Sequence, residues 1–289
     1  MSNKPRIIGE QILKRINLHD QDQGGVFTMT TGSQGSGKTS VLHSFKDYAV
    51  NHHPNEKIFW SECYNAPLQI YKSKRKDFNF LVLKDTNIKF RDRSDKLKQI
   101  DIPFTKFRDF DDLYKKAKHG KVNVVFFGDR LIWMDFILYL RNIGEWTHVF
   151  IDEFAEICPA YLSGEMWKKV GKFSNNILKD IRKCFINLHT NTQMLQNIDD
   201  RARKQVMINI YLPGAKVPKH SRIQQGAVDN LIIDRVHGNE AYLEYSGRFG
   251  VTVFKDIYKP DPKCHIDVTN NGEGGKYNFI PSFNKGEAR

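Results

Sequence analysis

Apolar residues fall into two rhythms along this chain. Short, nearly continuous apolar runs recur at 26–31 (Val-Phe-Thr-Met-Thr-Thr), 57–63, 122–127, 147–151, 184–189 and 206–212. Runs of this length, rich in β-branched and aromatic residues, predict strands buried on both faces of a parallel sheet. Between them lie stretches with helical spacing: Val41, Leu42 and Phe45, the apolar segment 131–142, and a longer region over 163–183. Ile7, Ile8, Ile12, Leu13 and Ile16 predict a further helix over the first 25 residues, closed by the Gln-Asp-Gln-Gly-Gly turn. Strands that alternate with helices predict an α/β fold around a parallel sheet.

Two stretches depart from this alternation. From 67 to 108 the pattern loosens, with one strand expected at 80–83. This stretch holds Lys72, Lys74, Arg75, Lys76, Lys89, Arg91, Arg93, Lys96 and Lys98 interleaved with Phe78, Phe80 and Phe90. It reads as a basic insertion at the edge of a core that spans 26–215. After the core, 231–235, 241–245 and 251–254 are short strand-like runs separated by Gly-containing turns, which predict a small β-rich extension over 216–270. The Gly/Asn/Lys-rich stretch 271–289 is expected to fray. No internal repeat is visible.

Composition narrows the class. A chain of 289 residues can bury a full α/β core. Lys and Arg outnumber Asp and Glu by 45 to 33, a net charge of +12. That excess suits a polyanionic partner, nucleic acid or an anionic membrane, although net charge alone is better explained by an ordinary basic protein. Cys63, Cys158, Cys184 and Cys264 stand far apart without a C-x-x-C pair, so reduced thiols in a cytoplasmic protein are expected, not a disulfide frame or a zinc site. The polar start carries no apolar leader core. The most apolar window, 131–140, is interrupted by Asp135 and too short for a bilayer, so no membrane-spanning segment is expected.

The chemistry begins directly after the first strand run. Gly32-Ser33-Gln34-Gly35-Ser36-Gly37-Lys38-Thr39-Ser40 fits G-x-x-x-x-G-K-[ST] at every specified position, between a strand and a helix. In such a P-loop the backbone N–H groups curl around phosphate oxygens at a helix N-terminus. Lys38 would reach the β- and γ-phosphates, and Thr39 would ligate Mg²⁺. The cofactors expected are therefore ATP and Mg²⁺. The run 147–151 ends in Asp152-Glu153, a Walker B pattern in which Asp152 holds the metal shell and Glu153 polarises the attacking water. Neighbouring strand residues point to opposite faces, so both acids reach one site only if the backbone turns there. The competing reading is a pair of acids capping the next helix.

The strand run near 185–192 ends in Thr192-Gln193. A glutamine there can hydrogen-bond both γ-phosphate and water, or simply cap the following helix. The continuation decides: Ile198-Asp199, an Arg/Gln-containing turn with Arg201 and Arg203, then the apolar run ending at Leu212. With the P-loop and Asp152-Glu153, this segment resembles the HerA/FtsK superfamily of P-loop ATPases. The resemblance covers 26–212 in outline and is specific only at those three places.

The resemblance implies a RecA-like core and an ATP-hydrolysing motor. Its expected substrate is double-stranded DNA, in genome packaging or DNA transfer, with a further viral or cellular docking protein for recognition. It also implies a homo-oligomer, commonly a hexameric ring, in which an arginine reaches the neighbour's γ-phosphate. Arg201 and Arg203 are the local candidates, and solvated surface charge explains either equally well; Arg248 is a weaker one. A virion morphogenesis or secretion ATPase working on protein at a membrane, similar to zonula occludens toxin, is the alternative. A GTPase is disfavoured because no N-K-x-D follows a strand, and a small-molecule kinase because Glu153 and Gln193 would have no role.

Overall fold

The structure is a computed structural model and describes residues 24–61, 77–86, 88–92, 98–234 and 238–254, with short pieces at 12–13, 16, 67–68 and 266–270. Strand β1 (Phe27–Thr31) runs into helix α1 (Lys38–His52) and then β2 (Lys57–Ser61). Strands β3 (Pro67–Leu68), β4 (Phe78–Leu83), β5 (Ile88–Asp92), β6 (Lys98–Ile100) and β7 (Thr105–Phe107) precede α2 (Phe110–Lys116), β8 (Val122–Phe126) and α3 (Ile132–Ile143). Next come β9 (Thr147–Ile151), α4 (Gly164–Asn176), β10 (Ile186–Thr192), α5 (Asp200–Arg203) and β11 (Ile208–Tyr211). Helix α6 (Gln225–Asp229), β12 (Ile233–Asp234), the hairpin β13 (Gly238–Tyr245) and β14 (Arg248–Phe254), and β15 (Ile266–Asn270) follow.

The main sheet has the order β12-β13-β11-β1-β10-β9-β2-β8-β4-β7, with β14 beside β13. From β11 across to β7 every pairing is parallel; β13 pairs antiparallel with β11, β12 and β14. The α/β fold expected from the strand–helix alternation is the fold observed. Its strands are apolar throughout because both faces are covered. On β2, Ile58 and Trp60 pack on the side of α1 with Val41, Leu42 and Phe45, while Phe59 packs on the other side with Phe136 and Ile137 of α3 and Val170 of α4. Fully burying one such side chain contributes ~1.5–3 kcal/mol, which holds both helix layers to the sheet.

The loosely patterned stretch divides between two sheets. β4 and β7 extend the main sheet, whereas β5 and β6 join β3 and β15 in a separate four-stranded one. Lys72, Lys74, Arg75, Lys76, Arg93 and Lys96 lie outside the described residues, as does 271–289. Of the first helix, Ile12, Leu13 and Ile16 are described as helical, with Ile12 and Ile16 buried. Helix α2 is not among the elements the periodicity predicts. It is started by Asp109, whose carboxylate accepts from the Asp112 N–H at 2.8 Å.

One buried amide ties three parts of the sheet together. Asn123, at the start of β8, donates to the Ile58 and Lys118 carbonyls (both 3.0 Å) and accepts from the Asn79 amide at 2.8 Å. No helix among the described residues is long and apolar enough to cross a membrane.

Candidate nucleotide site

The site forms where β1, β10 and β9 end side by side. The chain leaves β1 at Thr31, exposes Ser33, Gln34 and Gly35 at the loop tip, and buries Ser36 before entering α1. Gly37, the residue before the helix, has φ +95°, a conformation that side chains disfavour. Lys38 folds back over the loop, its Nζ donating to the carbonyls of Gly32 (3.0 Å) and Ser33 (2.8 Å). Partial burial lowers the Lys38 pKa, opposed by the charges of Glu153 and Asp152. A phosphate arriving here would offer a better acceptor than two neutral carbonyls. Ser40 sits half-buried in the first turn of α1, and its carbonyl accepts from Ser44 Oγ at 3.2 Å.

The acids arrive from β9. The strand ends at Ile151, and the turn that both acids require is made at Glu153 itself, with φ 57° and ψ 69°. A left-handed glutamate is uncommon and must be held by its surroundings. Asn191 holds it: its Oδ1 accepts from the Glu153 N–H at 2.8 Å, while its Nδ2 donates to Asp152 Oδ1 at 2.5 Å. Thr192 Oγ1 donates to Glu153 Oε1 at 2.8 Å. The Arg130 guanidinium grips the turn from the other side, donating to the Asp152 carbonyl oxygen and the Glu156 carboxylate.

Thr39 Oγ1 lies 3.3 Å from both carboxylate oxygens of Asp152, which ties the P-loop helix to the acid strand. Burial pushes the Asp152 carboxyl up, opposed by the Asn191 bond, the Arg130 charge, the Thr39 bond and the Lys38 charge. Burial also raises Glu153, and the nearby Asp152 charge acts in the same direction, against bonds from Thr192 and the Gln193 N–H. A carboxylate raised this way is a stronger base than an exposed one. The hydroxyl of Thr39 and the carboxylate of Asp152 form a hard oxygen pair of the type that suits Mg²⁺. Among the described residues no cluster of three His, Cys, Asp or Glu side chains could hold a metal, so the ion would complete its shell with water and nucleotide phosphate.

The structure thus brings together Gly32–Ser40, Asp152 and Glu153, with Gln193 beside them. Gln193 is exposed, immediately after Thr192, and touches Glu153 through its backbone. Arg201 and Arg203 are placed otherwise. Arg201 makes a two-pronged bond to Asp199 (2.9 and 2.8 Å), donates to the Trp167 carbonyl at 3.1 Å and stacks 4.3 Å from the Trp167 ring. Arg203 pairs with Asp200 on the same short helix. Arg248 is exposed at the β13–β14 turn.

Several site residues escape a reading of the sequence. Asn191 stands two positions before the expected glutamine and reaches the acids because β10 lies between β1 and β9, with Asn191 opposite Thr30 and Thr190 opposite Ile151. Pro213, just past β11, accepts from both the N–H and the hydroxyl of Ser33 at 3.1 Å. Asn239 of β13 donates to the Ser36 carbonyl at 2.7 Å. A polar residue ending an apolar run is the only local signal, and it marks Asn191 alone.

No family model matches this sequence, and no curated protein does. Solved structures do match. A bacterial conjugative coupling protein, TrwB, superposes with a TM-score of 0.51 at 11% identity, over 86% of this chain and 93% of that one. The genome-packaging NTPase B204 of Sulfolobus turreted icosahedral virus 2, bound to ATP-gammaS, gives 0.47 at 12% identity, over 81% and 98%. The N-terminal domain of zonular occludens toxin from Neisseria meningitidis gives 0.37 at 14% identity, over 81% and 97%. The likeness to the coupling protein shows a shared fold, a mostly parallel sheet with helices on both faces.

Proposed function

We propose that this chain is an ATP-hydrolysing motor that moves double-stranded DNA, in genome packaging or DNA transfer. The observation that carries the hydrolytic part is the meeting of Lys38 and Thr39 with Asp152 and Glu153 at adjacent strand ends, Glu153 being turned into the site by Asn191. Lys38 leaves the loop carbonyls for the β- and γ-phosphates. Thr39 and Asp152 would hold Mg²⁺, which neutralises phosphate charge when bound. Glu153 takes the proton of the attacking water, and the exposed Gln193 side chain orients that water against the γ-phosphate. The net charge of +12 supports a polyanionic substrate.

The oligomer is part of the same proposal. Arg203, paired among the described residues with a half-exposed aspartate, could turn to a neighbouring subunit at small cost, whereas Arg201 would first have to leave Asp199 and Trp167. Arginine fingers are worth ~10³–10⁵ in rate. Mixing subunits that carry Arg203→Ala with subunits that carry Glu153→Gln should restore part of the activity that each lacks; no recovery in demonstrably mixed oligomers returns Arg203 to the role of a surface charge.

The substrate is tested by steady-state hydrolysis with linear duplex DNA or anionic liposomes added. Stimulation by DNA and not by liposomes is expected. The reverse result would favour a morphogenesis or secretion ATPase working at a membrane.

A further inference from the structure

We infer that Asn239 is a positioning residue of the nucleotide site, through which the C-terminal hairpin sets the shape of the P-loop. This rests on the nucleotide-binding reading above. Asn239 lies at the start of β13, some two hundred residues beyond the loop, yet its Nδ2 donates to the Ser36 carbonyl at 2.7 Å. Its side chain is 3% exposed, and its Oδ1 is buried without a partner among the described residues. A half-satisfied buried amide is an expensive way to fill space, and leucine would fill it without leaving an unpaired oxygen. The donor bond to Ser36 is what an apolar residue could not supply.

Peptide geometry says what that bond does. The 36–37 peptide is planar and trans, so the Ser36 carbonyl and the Gly37 N–H point in opposite directions. With the carbonyl held toward the hairpin, the Gly37 N–H is turned away from it, toward the side on which the loop would receive phosphate. The contact is close: a Cβ at 37 would stand 2.8 Å from Asn239 Nδ2, so the amide could not keep its present place. Asn239 is itself fixed by pairing on both sides, opposite Ile233 of β12 and Phe254 of β14. The segment that looks like an appended meander is therefore a wall of the phosphate cradle.

The test is binding of a fluorescent ATP analogue, with Mg²⁺, to the full chain. Asn239→Ala should weaken binding by about 10–100-fold, the factor of the one charge-assisted hydrogen bond, Gly37 N–H to phosphate, that a misturned peptide would lose. Asn239→Asp should weaken it at least as much, because a carboxylate cannot donate and repels phosphate. Asn123→Ala removes a buried amide elsewhere in the sheet. It should lower the thermal midpoint and leave affinity unchanged, which separates positioning from general destabilisation. Parental affinity in both folded Asn239 variants overturns the inference while the nucleotide reading stands. A parent chain that fails to bind the analogue overturns both. Should neither variant fold, hydrogen exchange on the unaltered chain decides. Slower exchange at 238–254 on adding the analogue supports the coupling, and slowing confined to 32–40 overturns it.

Discussion

The P-loop strand has two unlike neighbours. On one flank stand β10 and β9, which deliver Asn191, Thr192, Asp152 and Glu153; on the other stand β11 and β13, which deliver Pro213 and Asn239. The acid flank gathers charge against desolvation, so Asp152 and Glu153 both sit higher than ordinary carboxylates. Among the described residues, the hairpin flank bonds the loop through neutral groups, at its backbone and at Ser33. On the proposed function, one side serves the chemistry and the other the shape of the loop. Damage on the acid flank should appear in turnover, and damage on the hairpin flank in nucleotide affinity.

The largest effect tests the acid flank directly. Glu153→Gln should keep ATP binding and lose ~10²–10⁴-fold in turnover, as for a lost general base. Parental turnover would reduce Glu153 to a capping residue. Asn191→Leu should follow, with a loss of about 10–100-fold in kcat, the usual scale for an outer-shell partner that orients reacting groups. Because Asn191 holds both the Asp152 side chain and the Glu153 backbone, ATP affinity should move much less. If affinity and kcat fall together, the two flanks are not separable.

Gly214→Ala probes the other flank. Gly214 has φ +76°, and a Cβ there would lie 2.7 Å from Ser33, so the loop base must shift. The expected outcome is roughly tenfold weaker ATP binding, about 1.4 kcal/mol, with kcat at saturation little changed. Titration of binding alongside saturating kinetics separates the two.

The smallest effect is on stability. Burial raises the Asp152 pKa, so the unfolded chain releases that proton more readily than the folded one. Below the unfolded carboxylate range (~3.9) both states are protonated and nothing is lost; stability falls as pH rises through the folded value. Asp152→Asn should therefore raise the thermal midpoint of the nucleotide-free chain near neutral pH, while abolishing hydrolysis. That gain should shrink as pH drops into the carboxylate range. A lower midpoint at neutral pH would mean that the bonds from Asn191 and Thr39 outweigh the desolvation.

The comparison also shows which parts of the site a sequence can carry. Gly32–Ser40 is legible because a phosphate cradle is built from consecutive backbone groups, so its demands fall on consecutive residues. Asp152 and Glu153 are legible because an apolar run ending in acids already implies a strand that surfaces at its tip. Gln193 ends the next run and reaches Glu153 through its backbone N–H, while the side-chain bonds from β10 to the acids come from Asn191 and Thr192. Which of several polar residues at a strand end faces its neighbour depends on the register of β10 between β1 and β9, and no local pattern encodes that.

The amino-acid sequence by itself determined the alternation of strand and helix, the place of the glycine-rich loop between a strand and a helix, and the presence of two acids at a strand end, since each follows from short-range sterics and burial periodicity. Only the tertiary structure decided which strands became neighbours. Strand order is set by non-local pairing and by the packing of α1 against one face and α3 and α4 against the other. That order placed β10 between the loop and the acids. It also carried Arg130 to the Asp152 turn and brought Asn239, from a segment with the look of an appendage, onto the Ser36 carbonyl. It bound Arg201 to Asp199 and Trp167 on its own chain, because a buried aspartate draws the nearest guanidinium whatever the motif around it suggests.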